Sequence, residues 1–309
     1  MDVVNRALEE IKKALSGIEI KLDEPFKAHT TFKIGGNSRA MLFPQSADEI
    51  TEICNILDKH GITPLVIGNG SNILANDDTH DIVVINTTKL DGISLCDESG
   101  DYKTIKADAG VLLSKLAVFA YENGLTGLEF AHGIPGTVGG AVVMNAGAYG
   151  SELKDVIFNV TAYSKNDGIQ TLTAADSGFS YRNSRFSNTD DDVVVSSTFK
   201  LKPSEKEDIK KKMDELCFRR RESQPLEFAS GGSTFKRPKE GYAAALIEQA
   251  GLKGYTVGGA QVSEKHSGFV INKGNAAFDD VMAVIKHVQE TVHKHSSVML
   301  EPEIKIIRG

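Results

Sequence analysis

Hydrophobic positions recur along this chain at two periods, and the switches between them mark out most of its elements. Val4, Leu8, Ile11 and Leu15 fall at helical spacing and predict a short amphipathic helix over residues 2–15. A second helix is expected over 48–60, because Ser46 followed by Glu49 has capping-box spacing and Gly61 supplies a stop. Further helices are expected over 112–123, ended by Gly124, and over 207–222, which is rich in basic residues. The last two cover 242–250, stopped by Gly251, and 278–294, with Val281, Val284, Ile285 and Val288 along one side. Strand patterns appear at 40–44, 64–67, 82–85, 104–107, 160–163, 193–201 and 304–307. This mixture indicates an α/β or α+β protein.

The pattern breaks in four places. Residues 29–36 are irregular, glycines cluster at 68–74, and their density rises again over 133–150. Residues 203–207, Pro-Ser-Glu-Lys-Glu, form a polar hinge and the first candidate domain boundary. No internal repeat is visible.

Composition narrows the class. A chain of 309 residues exceeds one simple core and predicts two or three domains. With 40% hydrophobic and 25% charged residues it reads as globular rather than disordered. A formal net charge of -7 gives no general affinity for nucleic acid, although a local cationic pocket stays open. Cys54, Cys96 and Cys217 are far apart, so they form neither a disulfide framework nor a thiolate metal cage. Residues 1–17 lack the apolar core of a signal peptide, and no run approaches the roughly 18 apolar residues of a membrane span. A cytoplasmic location is the default expectation.

Four segments carry candidate chemistry. Gly68-Asn69-Gly70-Ser71-Asn72 follows a strand; successive N–H groups in such a turn make a concave anion site, for which a pyrophosphate is a natural guest. It lacks the third glycine of a dinucleotide fingerprint, position 73 being Ile, and a purely structural turn is the competing reading. Gly133-Ile134-Pro135-Gly136-Thr137-Val138-Gly139-Gly140-Ala141, continuing to Asn145-Ala146-Gly147-Ala148-Tyr149-Gly150, exposes backbone either to a flat ligand or to tight packing against another element. Ser233 lies in Ser230-Gly231-Gly232-Ser233-Thr234-Phe235, where spacing alone gives a loop serine and Phe235 excludes a hydrolase elbow. The cations Arg182, Arg185 and Arg219-Arg220-Arg221 are either a solvated face or forks for phosphate and carboxylate. His293 and His295, two apart on a helix, face different ways, so no metal site is expected. His266 reads as a turn histidine placed for polar contacts.

Taken in order, these segments resemble the UDP-N-acetylenolpyruvoylglucosamine reductases, flavoenzymes that complete UDP-N-acetylmuramic acid for bacterial peptidoglycan. The resemblance rests on Thr30-Thr31-Phe32-Lys33-Ile34-Gly35-Gly36, the glycine segments at 68–72, 133–140 and 145–150, Tyr181-Arg182-Asn183-Ser184, Gly231-Gly232-Ser233-Thr234-Phe235 and Pro302-Glu303-Ile304, which span nearly the whole chain. It implies an α+β fold: an FAD-binding module of the vanillyl-alcohol-oxidase type in two subdomains, residues 1–85 and 86–202. A smaller α+β substrate domain would follow at 203–300, and residues 301–309 would return toward the flavin. The chain is similar to the shorter branch of the family, without an inserted tyrosine loop over the substrate diphosphate.

The same resemblance implies non-covalent FAD held by Gly68, Asn69, Gly70, Ser71, Asn72, Gly133, Pro135, Gly136, Thr137, Gly139, Gly140, Asn145, Ala146 and Gly147. Ser233 matches the family's proton donor, and Arg182 and Glu303 match the pair beside the enolpyruvyl carboxylate. Gln224, Arg237 and His266 fall where the family contacts the nucleotide sugar. The implied partners are NADPH and UDP-N-acetylglucosamine enolpyruvate, with no nucleic acid and no membrane, and the implied state is a monomer. Two other readings stay open: another FAD-linked sugar or aldonolactone oxidoreductase of the same superfamily, and a non-catalytic nucleotide-sugar binding protein.

Overall fold

The computed structural model describes residues 2–99, 101–189 and 191–308. Its chain divides into two units, each gathered from three separate segments: Met1–Leu22, Ala40–Asn69 and Ile82–Phe218 in the first, and Asp23–Arg39, Gly70–Asp81 and Arg219–Gly309 in the second.

The first unit opens with helix α1, Val3–Ala14, capped by Asp2, whose side chain accepts from the Asn5 N–H. Helix α2, Ala47–Lys59, starts as the sequence predicts, with the Glu49 N–H donating to Ser46 Oγ at 3.1 Å. The Glu49 carboxylate returns one residue earlier than in a standard box, accepting from the Gln45 N–H at 2.7 Å. Four strands, in the order Glu19–Leu22, Ser38–Phe43, His80–Asn86 and Leu65–Ile67, form a sheet beside these helices. A second sheet is antiparallel, in the order Gly168–Thr173, Ile157–Ser164, Asp192–Pro203, Tyr102–Asp108 and Ile93–Ser99, with Leu125–Thr126 pairing to the end of Asp192–Pro203. Against it lie helices α3, Leu113–Glu122, α4, Val138–Met144, and α5, Lys206–Ser223.

Strand Asp192–Pro203 shows why the unit coheres. Side chains alternate across a strand, so Val193 and Val195 enter the cluster of Leu8, Ile11, Ile53 and Leu57, whereas Val194 enters the cluster of Leu116, Val142 and Met213. Both faces are therefore covered, which explains three consecutive valines where a half-exposed strand would alternate.

In the second unit, strands Ala229–Ser230, Val270–Asn272, Ala260–Val262 and Thr256–Val257 make an antiparallel sheet in that order. Helices α6, Ala243–Gln249, and α7, Phe278–Ser296, belong to the same unit. One face of α7 buries Phe278, Val281, Val284, Ile285, Val288 and Val292 among Phe32, Leu74, Val262 and Leu300. Each such side chain contributes about 1.5–3 kcal/mol of burial. Asp77 accepts from the Phe278 N–H at 2.7 Å, placing a carboxylate at the start of α7. Strand Lys305–Ile307 runs parallel to Ile73–Ala75.

Two sequence expectations differ from these observations. The break expected at 203–207 falls at the turn between Asp192–Pro203 and α5, and α5 continues across residue 218, where the first unit ends. The segment 133–150, where the regular sequence pattern breaks and no helix is expected, contains α4. Gly139 sits in its first turn, where a Cβ would stand 2.9 Å from the Ala109 Cβ, so close packing rather than looseness explains that glycine.

Candidate active site

In the first unit, the turns at 68–69 and 133–137 are brought together. Asn69 Nδ2 donates to the Pro135 carbonyl at 2.6 Å, and a Cβ on Gly68 would lie only 2.1 Å from Thr137 Oγ1. Gly136 is buried, its carbonyl accepting from the Leu113 N–H, and Gly133 lies in the turn after Glu129–Ala131. Thr137 is the N-cap of α4 and only 1% exposed, yet its hydroxyl has no hydrogen-bond partner among the described residues. A buried hydroxyl without a partner costs stability unless a ligand meets it. Here it lies beside bare backbone at Gly68, with Gly140 exposed one turn along, so these residues fit a phosphoryl oxygen of FAD.

Asn145 ends α4 in the left-handed region, at φ 42° and ψ 58°, and is fully buried. Its Nδ2 donates to Glu152 Oε2 at 2.7 Å and to the Ser180 carbonyl at 3.0 Å, while Oδ1 accepts from the Lys154 N–H at 3.0 Å. The side chain expected to touch the cofactor is thus engaged by protein on every polar atom. The Ala146 N–H donates to the Ala141 carbonyl, and Gly147 pairs with Glu152 in a short hairpin.

Arg182 lies in a tight turn closed by reciprocal bonds between Ser180 and Asn183, at 2.9 and 3.2 Å. Its φ of 52° is the conformation that glycine ordinarily supplies at the third position of such a turn. An arginine held there stores backbone strain of the kind that gathers at functional sites. Its Nη2 donates to the Gly147 carbonyl at 3.1 Å, and the guanidinium carbon stands 5.1 Å from the centre of the Tyr181 ring.

The second unit brings Ser233 and Glu303 onto adjoining backbone segments. Thr234, fully buried, anchors them: its N–H donates to the Gly268 carbonyl at 2.8 Å, its Oγ1 accepts from the Val270 N–H at 2.9 Å, and its carbonyl accepts from the Glu303 N–H at 2.8 Å. Phe235 pairs with Pro302 one step further on. With Thr234 and Phe235 buried, Ser233 just before them keeps its side chain exposed. Gly70 and Ser71 lead into Asn72, whose Nδ2 donates to the Glu303 carbonyl at 3.1 Å and whose own carbonyl accepts from the Lys305 N–H. Asn72, expected among cofactor ligands, therefore holds the segment that carries Glu303.

His266 lies in the turn whose Gly268 carbonyl receives the Thr234 N–H. Its Nδ1 accepts from the Gly268 N–H at 3.2 Å, which leaves hydrogen on Nε2 in the neutral ring. Burial holds its pKa below the usual histidine value. A lowered pKa in the folded state means that this contribution to stability is complete above about pH 6.5. It is lost as pH falls from there through the folded value. The imidazole proton resonance of His266 is expected to titrate with a midpoint below that of a free histidine; a midpoint at or above it contradicts this assignment. Arg237 stands 4.1 Å over the exposed Tyr242 ring, and Gln224 Oε1 is buried with no partner among the described residues.

Elsewhere in the first unit, a shallow pocket is lined by Cys54, Asp58, Tyr163 and Lys165. Burial pushes the Cys54 thiol up to about 12, so it supplies no nucleophile. No helix among the described residues is long and apolar enough to cross a membrane.

Sequence reasoning missed Thr234, Ser180, Glu152 and Lys154, which hold the expected residues in place. An Asn ending a helix is a recognisable left-handed cap, but that signal depends on seeing α4.

Residues 38–173 match an FAD binding domain, and residues 224–307 match the C-terminal domain of UDP-N-acetylenolpyruvoylglucosamine reductase. The reductase of that name from Caldanaerobacter subterraneus is 45% identical over 97% of both chains. The crystal structure of the corresponding Thermus caldophilus reductase superposes with a TM-score of 0.78 at 32% identity, covering 94% of this chain and 98% of that one. An alkyldihydroxyacetonephosphate synthase shares the fold over 64% of this chain and 40% of its own, with a TM-score of 0.51 at 15% identity. The fold is α+β, built on an FAD-binding module of the vanillyl-alcohol-oxidase type. With near-complete coverage at this identity, the chain belongs to the UDP-N-acetylenolpyruvoylglucosamine reductase family.

Proposed function

We propose that this chain is an FAD-dependent, NADPH-consuming reductase of UDP-N-acetylglucosamine enolpyruvate, yielding UDP-N-acetylmuramate for peptidoglycan precursors in the cytoplasm. The observation that carries this reading is 45% identity across 97% of both chains, with the residues Arg182, Ser233 and Glu303 all present.

When bound, FAD supplies a hydride taken from NADPH. Gly68, Asn69 and Thr137 would hold its pyrophosphate, through the bare backbone and the hydroxyl that has no partner among the described residues. Hydride addition to the terminal carbon of the enolpyruvyl ether leaves negative charge on the substrate's carboxylate as an enolate. Arg182, permanently charged and fork-shaped, binds that carboxylate and gains strength as the charge grows; a donor placed this way contributes roughly 3–4 kcal/mol. Ser233 Oγ donates a proton to the adjacent carbon. A serine is a weak acid, and it serves here because the carbon it protonates is very basic. Glu303 acts at the substrate's carboxylate, while Gln224, Arg237 and neutral His266 contact the nucleotide sugar.

The test is an absorption spectrum of the purified protein under anaerobic conditions. The protein is expected to be yellow, to bleach on addition of NADPH and to recover its colour with UDP-N-acetylglucosamine enolpyruvate. A colourless protein indicates a binding module. A yellow one that NADPH leaves unchanged indicates an oxidase of the same superfamily, and either outcome overturns the proposal.

A further inference from the structure

The geometry points to Asn145 as a positioning residue for Arg182, a role that rests on the proposed reaction and goes beyond it. Asn145 touches both sides of the frame that aims the guanidinium. One Nδ2 hydrogen reaches the Ser180 carbonyl at 3.0 Å, at the start of the turn that carries Arg182. The other reaches Glu152 Oε2 at 2.7 Å, in the hairpin whose Gly147 carbonyl receives Arg182 Nη2. Oδ1 takes the Lys154 N–H at 3.0 Å, and Lys154 in turn pairs with Glu152. A single buried amide thus fixes the base of the turn and the carbonyl that holds its tip. Because Arg182 is held at a φ of 52°, its turn has a strained conformation to escape from whenever the Ser180 contact is lost.

Such a contact is distinguishable from an ordinary helix cap. Asn145→Asp keeps the size and the Oδ1 acceptor but loses both donors, setting oxygen against Glu152 and against the Ser180 carbonyl. Adding Glu152→Gln restores the side-chain pair with its donor reversed and leaves the Ser180 contact broken. Stability and activity should therefore separate in the double variant. Its melting temperature is expected to return close to that of the native protein. NADPH bleaching should stay at the native rate, while recolouring by UDP-N-acetylglucosamine enolpyruvate remains slowed by about 10²-fold, the scale of a misplaced reacting group. In an Arg182→Gly background the same pair of changes should slow recolouring no further.

Native recolouring in the double variant overturns the inference. So does loss of bound colour or slow bleaching, either of which makes Asn145 a cofactor residue. Native recolouring in Arg182→Gly alone instead sinks the proposed role of Arg182 and leaves nothing for Asn145 to position.

Discussion

Replacing Ser233 by alanine yields a yellow protein that NADPH bleaches at the native rate, while UDP-N-acetylglucosamine enolpyruvate recolours it about 10²–10⁴ times more slowly. The expectation follows from where Ser233 stands. Its neighbour Thr234 uses its N–H, carbonyl and hydroxyl to fix the local backbone, so removing one exposed Oγ leaves that scaffold intact. Folding and cofactor retention should be unchanged, and the loss should fall on proton delivery alone. Ser233→Cys keeps a donor at nearly the same place and is expected to retain part of the activity. Anaerobic stopped-flow mixing reads the two stages separately. Native recolouring in the alanine variant removes Ser233 from the mechanism.

Much of the scaffold was legible because its periods are strong. Helix α7 shows its buried stripe in Val281, Val284, Ile285 and Val288, and the structure buries those four residues. Helix α2 announces both ends through Ser46 and Gly61. The failures have physical causes. Helix α4 begins Val-Gly-Gly, and two glycines in a first turn oppose helix formation by roughly 1 kcal/mol each. Tertiary packing overrides that cost, since Gly139 fits against Ala109, where any side chain would collide. Edge strand Gly168–Thr173 alternates between exposed and half-buried positions and carries little apolar signal. The division into units was hidden for another reason. Ile73–Ala75 pairs with Lys305–Ile307 from the far end of the chain, and three-residue strands joined at that range leave no local mark.

The site divides in the same way. Residue types and spacing made the glycine turns visible as backbone meant for close approach, and Thr137 with Gly68 fits that reading. They left Ser233 as a loop serine, and its proposed role came from resemblance in seven ordered segments. Asn72 and Asn145 were grouped with cofactor ligands because they lie in glycine-rich motifs. The structure shows their amides holding the segments that carry Glu303 and Arg182. A motif can persist because it builds a site as well as because it touches a ligand, and sequence does not separate the two.

Arg182→Gly is expected to slow enolpyruvate reduction by about 10²–10³-fold while leaving the fold nearly as stable as before. For most enzymes such a substitution would trade a side chain for a floppier backbone. Here the backbone already occupies φ 52°, which costs a side-chain-bearing residue about 1–2 kcal/mol and glycine almost nothing. That relief offsets glycine's greater unfolded-state entropy, about 0.5–1 kcal/mol, together with the lost bond to the Gly147 carbonyl. A thermal melt within a few degrees of the native protein, with bleaching by NADPH intact and recolouring slow, is the expected result. Arg182→Lys makes the complementary point: it keeps the charge and the strain but loses the fork, so its rate should fall between those of the native and glycine proteins. If the lysine variant instead matches the native rate, charge alone serves the carboxylate and the strained turn has no part in aiming it. A melt that collapses in the glycine variant would assign Arg182 to the fold rather than to the substrate.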